Sequence, residues 1–388
     1  MKVAIVAPWY INSGGAEKVD GILGDMYPDA DIFALFHCDQ NIPESLKGRV
    51  IHGSFLQKIP AIKRVYRPLL KLLPYAVESF DLRGYDLVIT SDWACVKGVV
   101  TDPYTVNVCY CHTPMRHIWD LYRNYLADAA PWQRSAYAWS TKGLREWDYQ
   151  AAQRVTQFAA NSIYIQQRIK KYYRRCSEVI YPPVDTSKGY ISSAIGDYYL
   201  SVSRLNRTKR LDLLIHACNL LGRKLIISGV GPEESALKQI AGETIEFAGR
   251  VPDNELGELY ARCRALLFAA DEDFGIVPVE AQSFGRPVVA FGRGGSLETV
   301  RVKEPSRGPD TGVFFPEQTP ESVVDGILRF ESRESTFCPE AIQKHAQAFA
   351  TEQFVEHFRE FVESAMDREK GAIWNSSRDQ TERIFSAW

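Results

Sequence analysis

The chain has 388 residues, 45% of them hydrophobic and 24% charged, and 46 Lys and Arg against 48 Asp and Glu leave a formal net charge of −2. That length suits two domains better than one, and the composition is that of a soluble globular protein. The near balance of charge excludes a chain built as a whole to bind nucleic acid. The opening apolar run is too short for a secretory leader, and no run is long enough to cross a bilayer. Eight cysteines are scattered without a C-x-x-C pair, which fits reduced thiols in a cytosolic protein. The seven histidines show no H-E-x-x-H spacing, so no structural metal is expected.

In chain order, residues 2–7 read as a buried strand. Asn12-Ser-Gly-Gly15 follows, and a helical pattern then runs to about Met26. Adjacent glycines there let backbone approach a ligand, or simply make a strand-to-helix turn. Asp29-Ala-Asp31 precedes the next strand, 32–36, and so lies at the wrong end for a site at strand C-termini; it reads as a solvated turn. Residues 47–77 contain no Asp or Glu and seven Lys or Arg, interleaved with Leu, Ile, Val and aromatic residues and cut by Pro60, Pro68 and Pro74. Such a basic amphipathic surface suits an anionic membrane interface. It is also what a solvated face over core residues looks like.

Strands are expected at 86–90 and 105–110, the second running into Cys111-His112-Thr-Pro-Met-Arg116. A histidine after a strand is commonly structural, but strand C-terminal ends form the crevice in open parallel sheets. The aromatic-rich stretch 115–149 fits a filled helical core or the wall of a groove. A strand at 157–160 and an Asn161-Ser162 helix start come next. Val179 to Asp185, stiffened by Pro182 and Pro183, is the expected domain joint.

The alternation then restarts, with strands expected at 198–203, 223–228, 244–247, 265–269, 287–290 and 312–315 and helices between them, which implies a second parallel sheet. After its first strand, Arg204 and Lys209 are spaced to hold a diphosphate, one by its fork and one as a point charge. Ser228 to Pro232 and Gly292 to Ser296 are glycine-rich turns. The stretch Ala265 to Phe284 reads as strand, acidic loop (Asp271, Glu272, Asp273), Phe274-Gly275, and a helix from Ile276. Free amides at such a helix start favour an anion. Glu272 and Glu280 bracket that start. They would repel a bare phosphate, but they suit the hydroxyls on either side of a sugar nucleotide's diphosphate. A solvated acidic loop before an ordinary helix has the same spacing. Residues 320–368 look helical, and the tail 371–388 is apolar enough to dock.

Glu272, seven residues and Glu280, with Phe274-Gly275 between them and Arg204 and Lys209 upstream, resemble the signature of the retaining family-four glycosyltransferases. The likeness covers nearly the whole chain. It implies an α/β chain of GT-B fold, with two Rossmann-like parallel-sheet domains facing a central cleft. Residues 1–183 would form the acceptor-binding domain and 184–370 the nucleotide-sugar-binding domain, with 371–388 returning to the first. By the same resemblance Arg204 and Lys209 hold the diphosphate, and His112 and Glu272 meet the donor sugar. Glu280 holds the ribose. Gly14 and Gly15 lie against the phosphates and acceptor, and Arg250 and Val251 meet the nucleobase edge. Gly231, Phe274, Gly275, Ile276 and Val277 complete the donor site. Ser203 and Arg210 stand where the family often has glycine, a mild departure that leaves both charges in place.

No cofactor and no metal is implied. The run His112 to Arg116, followed by Trp119-Asp120, is similar to bacterial O-antigen and exopolysaccharide mannosyltransferases. That implies GDP-mannose as donor and a saccharide or polyprenyl-linked saccharide as acceptor. The charge balance and the basic stretch 47–77 add the expectation of no nucleic-acid partner and of a cytoplasmic protein held peripherally on the inner face of the cell membrane. A UDP- or dTDP-sugar, or a nucleotide-sugar epimerase or hydrolase of the same fold, is the alternative. A nicotinamide oxidoreductase is disfavoured by the missing G-x-G-x-x-G. A non-catalytic membrane scaffold would use the basic stretch alone.

Overall fold

The computed structural model describes residues 1–12, 14–65, 67–128, 130–302 and 309–386, apart from the side chains of Arg64, Arg67, Pro68, Asp128, Ala136 and 371–386. The chain forms two compact units, Met1–Ile180 with Val355–Trp388, and Tyr181–Phe354. Each is a parallel sheet with helices between its strands, the α/β Rossmann-like architecture expected from the alternating pattern.

The first unit holds seven parallel strands: β1 (Val3–Tyr10), β2 (Asp31–His37), β3 (Ile51–Gly53), β4 (Leu87–Asp92), β5 (Val106–Cys111), β6 (Gln157–Ala160) and β7 (Ser177–Val179). Their order is β3-β2-β1-β4-β5-β6-β7, so the direction of winding reverses between β1 and β4, where Val3 pairs with Leu87 and Val6 with Thr90. β1 and β4 are continuous apolar or buried runs, as strands covered on both faces must be. Edge strands β3 and β7 are three residues each, too short to show a pattern in the sequence. The main helices are α1 (Gly15–Met26), α2 (Pro131–Gln153) and α3 (Ile163–Tyr173).

A buried ion triad ties these elements together. Lys97 is fully buried, with its Nζ 3.0 Å from Asp92 Oδ2 at the end of β4 and 2.5 Å from Asp148 Oδ1 in α2. Burial alone would lower the lysine's pKa, but the two carboxylates outweigh it and hold it well above the usual value. Asp92 also accepts from the amides of Ala94 and Val96, and Asp148 from Trp119 Nε1 and the Tyr173 hydroxyl at 2.7 and 2.8 Å. Ions so placed are tolerable only while every member is present, because one left alone would be an uncompensated buried charge.

The basic stretch divides. Leu56, Ile62, Leu73, Ala76 and Val77 are core residues of the first unit, with Ile59, Leu69, Leu70 and Leu72 packed partly against them. Much of the apolar content that suggested a membrane face is therefore committed inward. Val50, Phe55, Val65 and Tyr75 remain exposed. The aromatic stretch divides likewise. Trp119 stacks on Tyr172 at 4.8 Å and Trp147 donates to Glu78, whereas Trp132 and Trp139 are 80% and 74% exposed.

The second unit has six parallel strands: β8 (Tyr198–Val202), β9 (Lys224–Ser228), β10 (Ile245–Gly249), β11 (Leu266–Phe268), β12 (Val288–Phe291) and β13 (Gly312–Phe315). Their order is β10-β9-β8-β11-β12-β13, which reverses between β8 and β11. Helices used below are α4 (Leu211–Leu221), α5 (Asp253–Arg262), α6 (Ile276–Ser283), α7 (Pro320–Glu331) and α8 (Thr351–Ser386).

Two boundaries differ from the sequence reading. The domain bound of 183/184 lies at 180/181, inside the joint expected at Val179 to Asp185, because Tyr181 packs its ring on Phe274 and Phe349 of the second unit. The return to the first unit, expected at 371, begins at Val355. There α8 is one continuous helix, and its buried Phe358 meets Tyr110 at 6.0 Å. The docking expected of the tail side chains at 371–388 falls outside the described residues. The helical stretch expected at 320–368 is broken into α7, Pro339–Ala346 and α8.

Candidate active site

In the second unit the strand order reverses between β8 and β11, whose Leu200 and Leu266 are partners, so the loops leaving these strands diverge and leave their C-terminal ends open. The loop after β8 carries Arg204 and Lys209. Fully buried Leu205 plugs it into the core. Asn206 Oδ1 accepts from the amide and the hydroxyl of Thr208, which shapes the turn Arg207–Lys209. Arg210 then takes a left-handed conformation (φ 51°) to open α4 and pairs with Asp212. The family's frequent glycine is thus replaced by a residue that adopts the left-handed geometry and is held there by an ion pair. Arg204 stands exposed, with no ion pair among the described residues.

The loop after β11 comes to meet it. Lys209 Nζ forms an ion pair with Glu272 Oε1, both side chains half-buried. Phe274 does not face a ligand with its ring. That ring is buried among Val184, Val279, Ala346 and Phe349, and only its backbone borders the site. Gly275 follows at φ +89°, a conformation that favours glycine, and opens α6 without a side-chain cap. The N-cap residue thus supplies no side-chain acceptor to the first-turn amides of α6, as suits an anion site.

The glycine loop after β12 fixes the acidic loop from behind. Gly295 N donates to Glu272 O at 2.9 Å, and a Cβ on Gly295 would lie 2.1 Å from Phe274 O. Arg293 pairs with Asp271 at 3.2 Å. Gly229 and Gly231 have a similar purpose. Their Cβ atoms would meet Ser203 O and Leu205 O at 1.8 and 2.2 Å, so these glycines let the loop after β9 lie against the Arg204 loop. Gly231 therefore positions Arg204 and Lys209. Arg250 is exposed and Val251 half-buried, just past Gly249 at φ +66°.

Glu280 sits in the second turn of α6, and its Oε2 accepts from the Tyr260 hydroxyl of α5 at 2.9 Å. Tyr260 is buried and stacks on Phe284 at 5.6 Å. Burial first, and the Glu280 charge second, hold its pKa well above the ordinary value, so it stays a donor. The two glutamates thus have different partners, Lys209 for Glu272 and Tyr260 for Glu280. Nothing in the sequence marks Tyr260, which lies in an ordinary amphipathic helix 20 residues from its acceptor.

In the first unit Gly14 caps α1 in extended backbone (φ −154°) and Gly15 opens the helix, after β1. Ser13 lies outside the described residues. His112 leaves β5, one strand beyond the switch between β1 and β4. Its amide donates to Asp92 O, and its Nε2 lies 2.9 Å from Ser91 Oγ. The rings of Tyr110 and Trp93 meet it edge-on at 5.0 and 5.5 Å. Burial pushes its pKa down to about 3, so the imidazole is neutral at physiological pH. Asp31 of the D-x-D run accepts from the Tyr85 hydroxyl at 2.6 Å, at the start of β2 and far from the strand C-termini.

Residues 195–353 match the family described as glycosyl transferases group 1. That stretch of the second unit is similar to the group 1 glycosyltransferases. The whole chain is 26% identical to the alpha-1,3/1,6-mannosyltransferase ALG2 of Saccharomyces cerevisiae, over 92% of this chain and 84% of that one. It is 33% identical to the D-inositol 3-phosphate glycosyltransferase of Frankia alni, over 30% and 36%. Among solved structures, Anabaena Alr3699/HepE in complex with UDP and glucose superposes with a TM-score of 0.66 at 18% identity, over 94% of this chain and 100% of that one. Sucrose-phosphate synthase from Thermosynechococcus elongatus gives 0.68 at 15% identity, over 95% and 100%. The fold is GT-B, as the family resemblance implied.

The packing of Gly295 against the acidic loop makes a direct prediction. Gly295→Ala should destabilise the second unit by about 3 kcal/mol, since the new methyl overlaps backbone that cannot step aside. Gly249→Ala, left-handed but in open space, should cost only about 1 kcal/mol. Hydrogen-exchange protection of the β11 amides reads both. Equal costs would show that the acidic loop yields freely.

Proposed function

We propose that the protein is a retaining hexosyltransferase that moves mannose from GDP-mannose to a hydroxyl of a saccharide or lipid-linked saccharide, as in bacterial polysaccharide or O-antigen assembly. The observation that carries this reading is the meeting of Lys209 with Glu272 at the β8/β11 switch, beside the uncapped start of α6. A cation and free amides suit a diphosphate, and a carboxylate beside them suits the hydroxyls of the sugar it carries. Mannose is supported by the mannosyltransferase relative that spans most of the chain.

In the reaction the bond between the sugar's anomeric carbon and the diphosphate breaks, and the nucleoside diphosphate leaves with the electron pair. Arg204, Lys209 and the α6 amides stabilise the charge that develops there. The acceptor hydroxyl bonds to the anomeric carbon on the face the diphosphate leaves, and its proton passes to a leaving phosphate oxygen. These fixed positive groups do the work of a metal, so the reaction needs none. Neutral His112 offers a hydrogen bond to the donor sugar. Tyr260 keeps Glu280 oriented to accept ribose hydroxyls.

The divided partners of the glutamates test the assignment. Glu280→Ala should weaken GDP binding by roughly tenfold or more, the loss of a hydrogen bond to a charged group. Glu272→Ala should leave GDP binding intact, since it removes a carboxylate and no group that holds the phosphates, and should cut turnover by about 100-fold. Calorimetric titration with GDP, UDP and dTDP, followed by turnover with the matching mannose or hexose donor, checks both. Equal loss of nucleotide binding in the two variants would refute the division, and tighter binding of UDP or dTDP would replace the donor.

We also propose that the first unit rests on an anionic membrane surface. Among the described residues no helix is long and apolar enough to cross a membrane. The acid-free stretch 47–77 instead exposes Lys58, Lys63 and Lys71 with Phe55, Val65 and Tyr75, and Lys71 lies 4.0 Å from the ring centre of exposed Trp139. Cations near such a surface gain about 1 kcal/mol each, and salt screens the gain. The protein should bind phosphatidylserine vesicles at low salt and leave them at high salt. The joint change of Lys63, Arg64, Arg67 and Lys71 to Gln should abolish this while sparing nucleotide binding. A wild type that ignores the vesicles at low salt would make the stretch a solvated face.

A further inference from the structure

The reaction described above makes no use of a buried polar cluster at the β1/β4 switch of the first unit. Asp20 lies in α1 and is fully buried, although its neighbours Glu17 and Lys18 mark an ordinary amphipathic helix. The hydroxyls of Ser91, at the end of β4, and Tyr10, at the end of β1, lie close enough to act on its carboxyl, yet neither completes a hydrogen bond of good geometry. Ser91 is itself fully buried, and its Oγ lies 2.9 Å from His112 Nε2. The cluster is therefore a line of three side chains from α1 through β4 to the histidine after β5.

The protonation of the first member sets the direction of the line. A neutral imidazole carries its proton on one nitrogen and accepts on the other. An ionised Asp20 would draw the Ser91 hydroxyl proton to itself, and Ser91 would then accept from a proton on His112 Nε2. A neutral Asp20 does the reverse. It gives its own proton to Ser91 Oγ, and the Ser91 proton turns to His112 Nε2, which leaves the histidine's proton on Nδ1. Only the Ser91 and Tyr10 hydroxyls favour the charged form, and burial outweighs them. Both oxygens are out of water, Glu17 adds repulsion, and no cation among the described residues acts on the carboxyl. Its pKa is accordingly raised well above the usual carboxylate value, chiefly by burial.

We propose that Asp20 and Ser91 are positioning residues that lock His112 in its Nδ1–H tautomer, so that the ring presents a hydrogen-bond donor, not an acceptor, to a sugar oxygen. A buried carboxylic acid kept neutral so that it can donate is a known use of such sites. The ring is then unsuited to take a proton from an acceptor hydroxyl. It holds the sugar by a fixed N–H, and the proton is left to the diphosphate. This inference rests on the proposed contact between His112 and the donor sugar, but its test reads the ring itself and does not depend on turnover.

The experiment is two-bond nitrogen–proton correlation NMR on the full chain with labelled histidine. The His112 signals are those missing from the His112→Gln spectrum. In the wild type His112 should show a protonated Nδ1 and an unprotonated Nε2 at neutral pH. Ser91→Ala should lose that pattern, with the Nε2–H form appearing. Asp20→Asn should keep it, because the amide still donates to Ser91, whereas Asp20→Leu should lose it. A wild-type ring protonated on Nε2 would overturn the proposal. So would an Nδ1–H pattern that survives both Ser91→Ala and Asp20→Leu. If Asp20→Leu does not fold, the wild-type spectrum and Ser91→Ala decide the matter alone.

Discussion

Where a parallel sheet reverses its strand order, the two loops leaving adjacent strands run apart, and the strand ends between them lie open. The candidate site of each unit follows from that constraint, met once in each sheet. Between β8 and β11 the opening receives Lys209 from one side and Glu272 from the other. Between β1 and β4 it receives the Gly14-Gly15 helix start and the buried cluster that leads to His112.

Holding such loops still is a packing problem before it is an electrostatic one. The acidic loop is clamped by a buried phenyl ring on one side and by backbone contact with Gly294 and Gly295 on the other. The cationic loop is held by Leu205 and by the glycines after β9. Charges are then distributed by sign. In the proposed reaction, cations and helix amides gather where the diphosphate sits, and the groups offered to uncharged hydroxyls are carboxylates or a neutral imidazole. His112 is kept neutral by burial, and Glu280 is steadied by a tyrosine that itself stays protonated.

How much of this was legible in the sequence depends on the range of the interaction. The sheet strands were legible because apolar runs between turn residues are a local signal, and only the three-residue edges β3 and β7 escaped. The charged residues at the second switch were legible as motifs, since each follows a strand directly. What their side chains touch was not. Phe274 reads as a ligand contact beside its glycine, yet its ring belongs to a cluster that includes Phe349, 75 residues away. Tyr260 and Glu280 meet only because α5 and α6 pack together. Asp20 looks like any polar residue on a helix until its burial is seen. The stretch 47–77 misled in the other direction, because inward and outward apolar residues cannot be separated where prolines break the helical period.

The central claim is transfer with retention, driven by fixed positive groups of the chain. The most direct measurement is the one-bond carbon–proton coupling at the anomeric carbon of the product formed from GDP-α-mannose in excess EDTA. The account predicts an α-linked mannoside formed at an undiminished rate. A β-linked product, or no product until a divalent cation is restored, would contradict it.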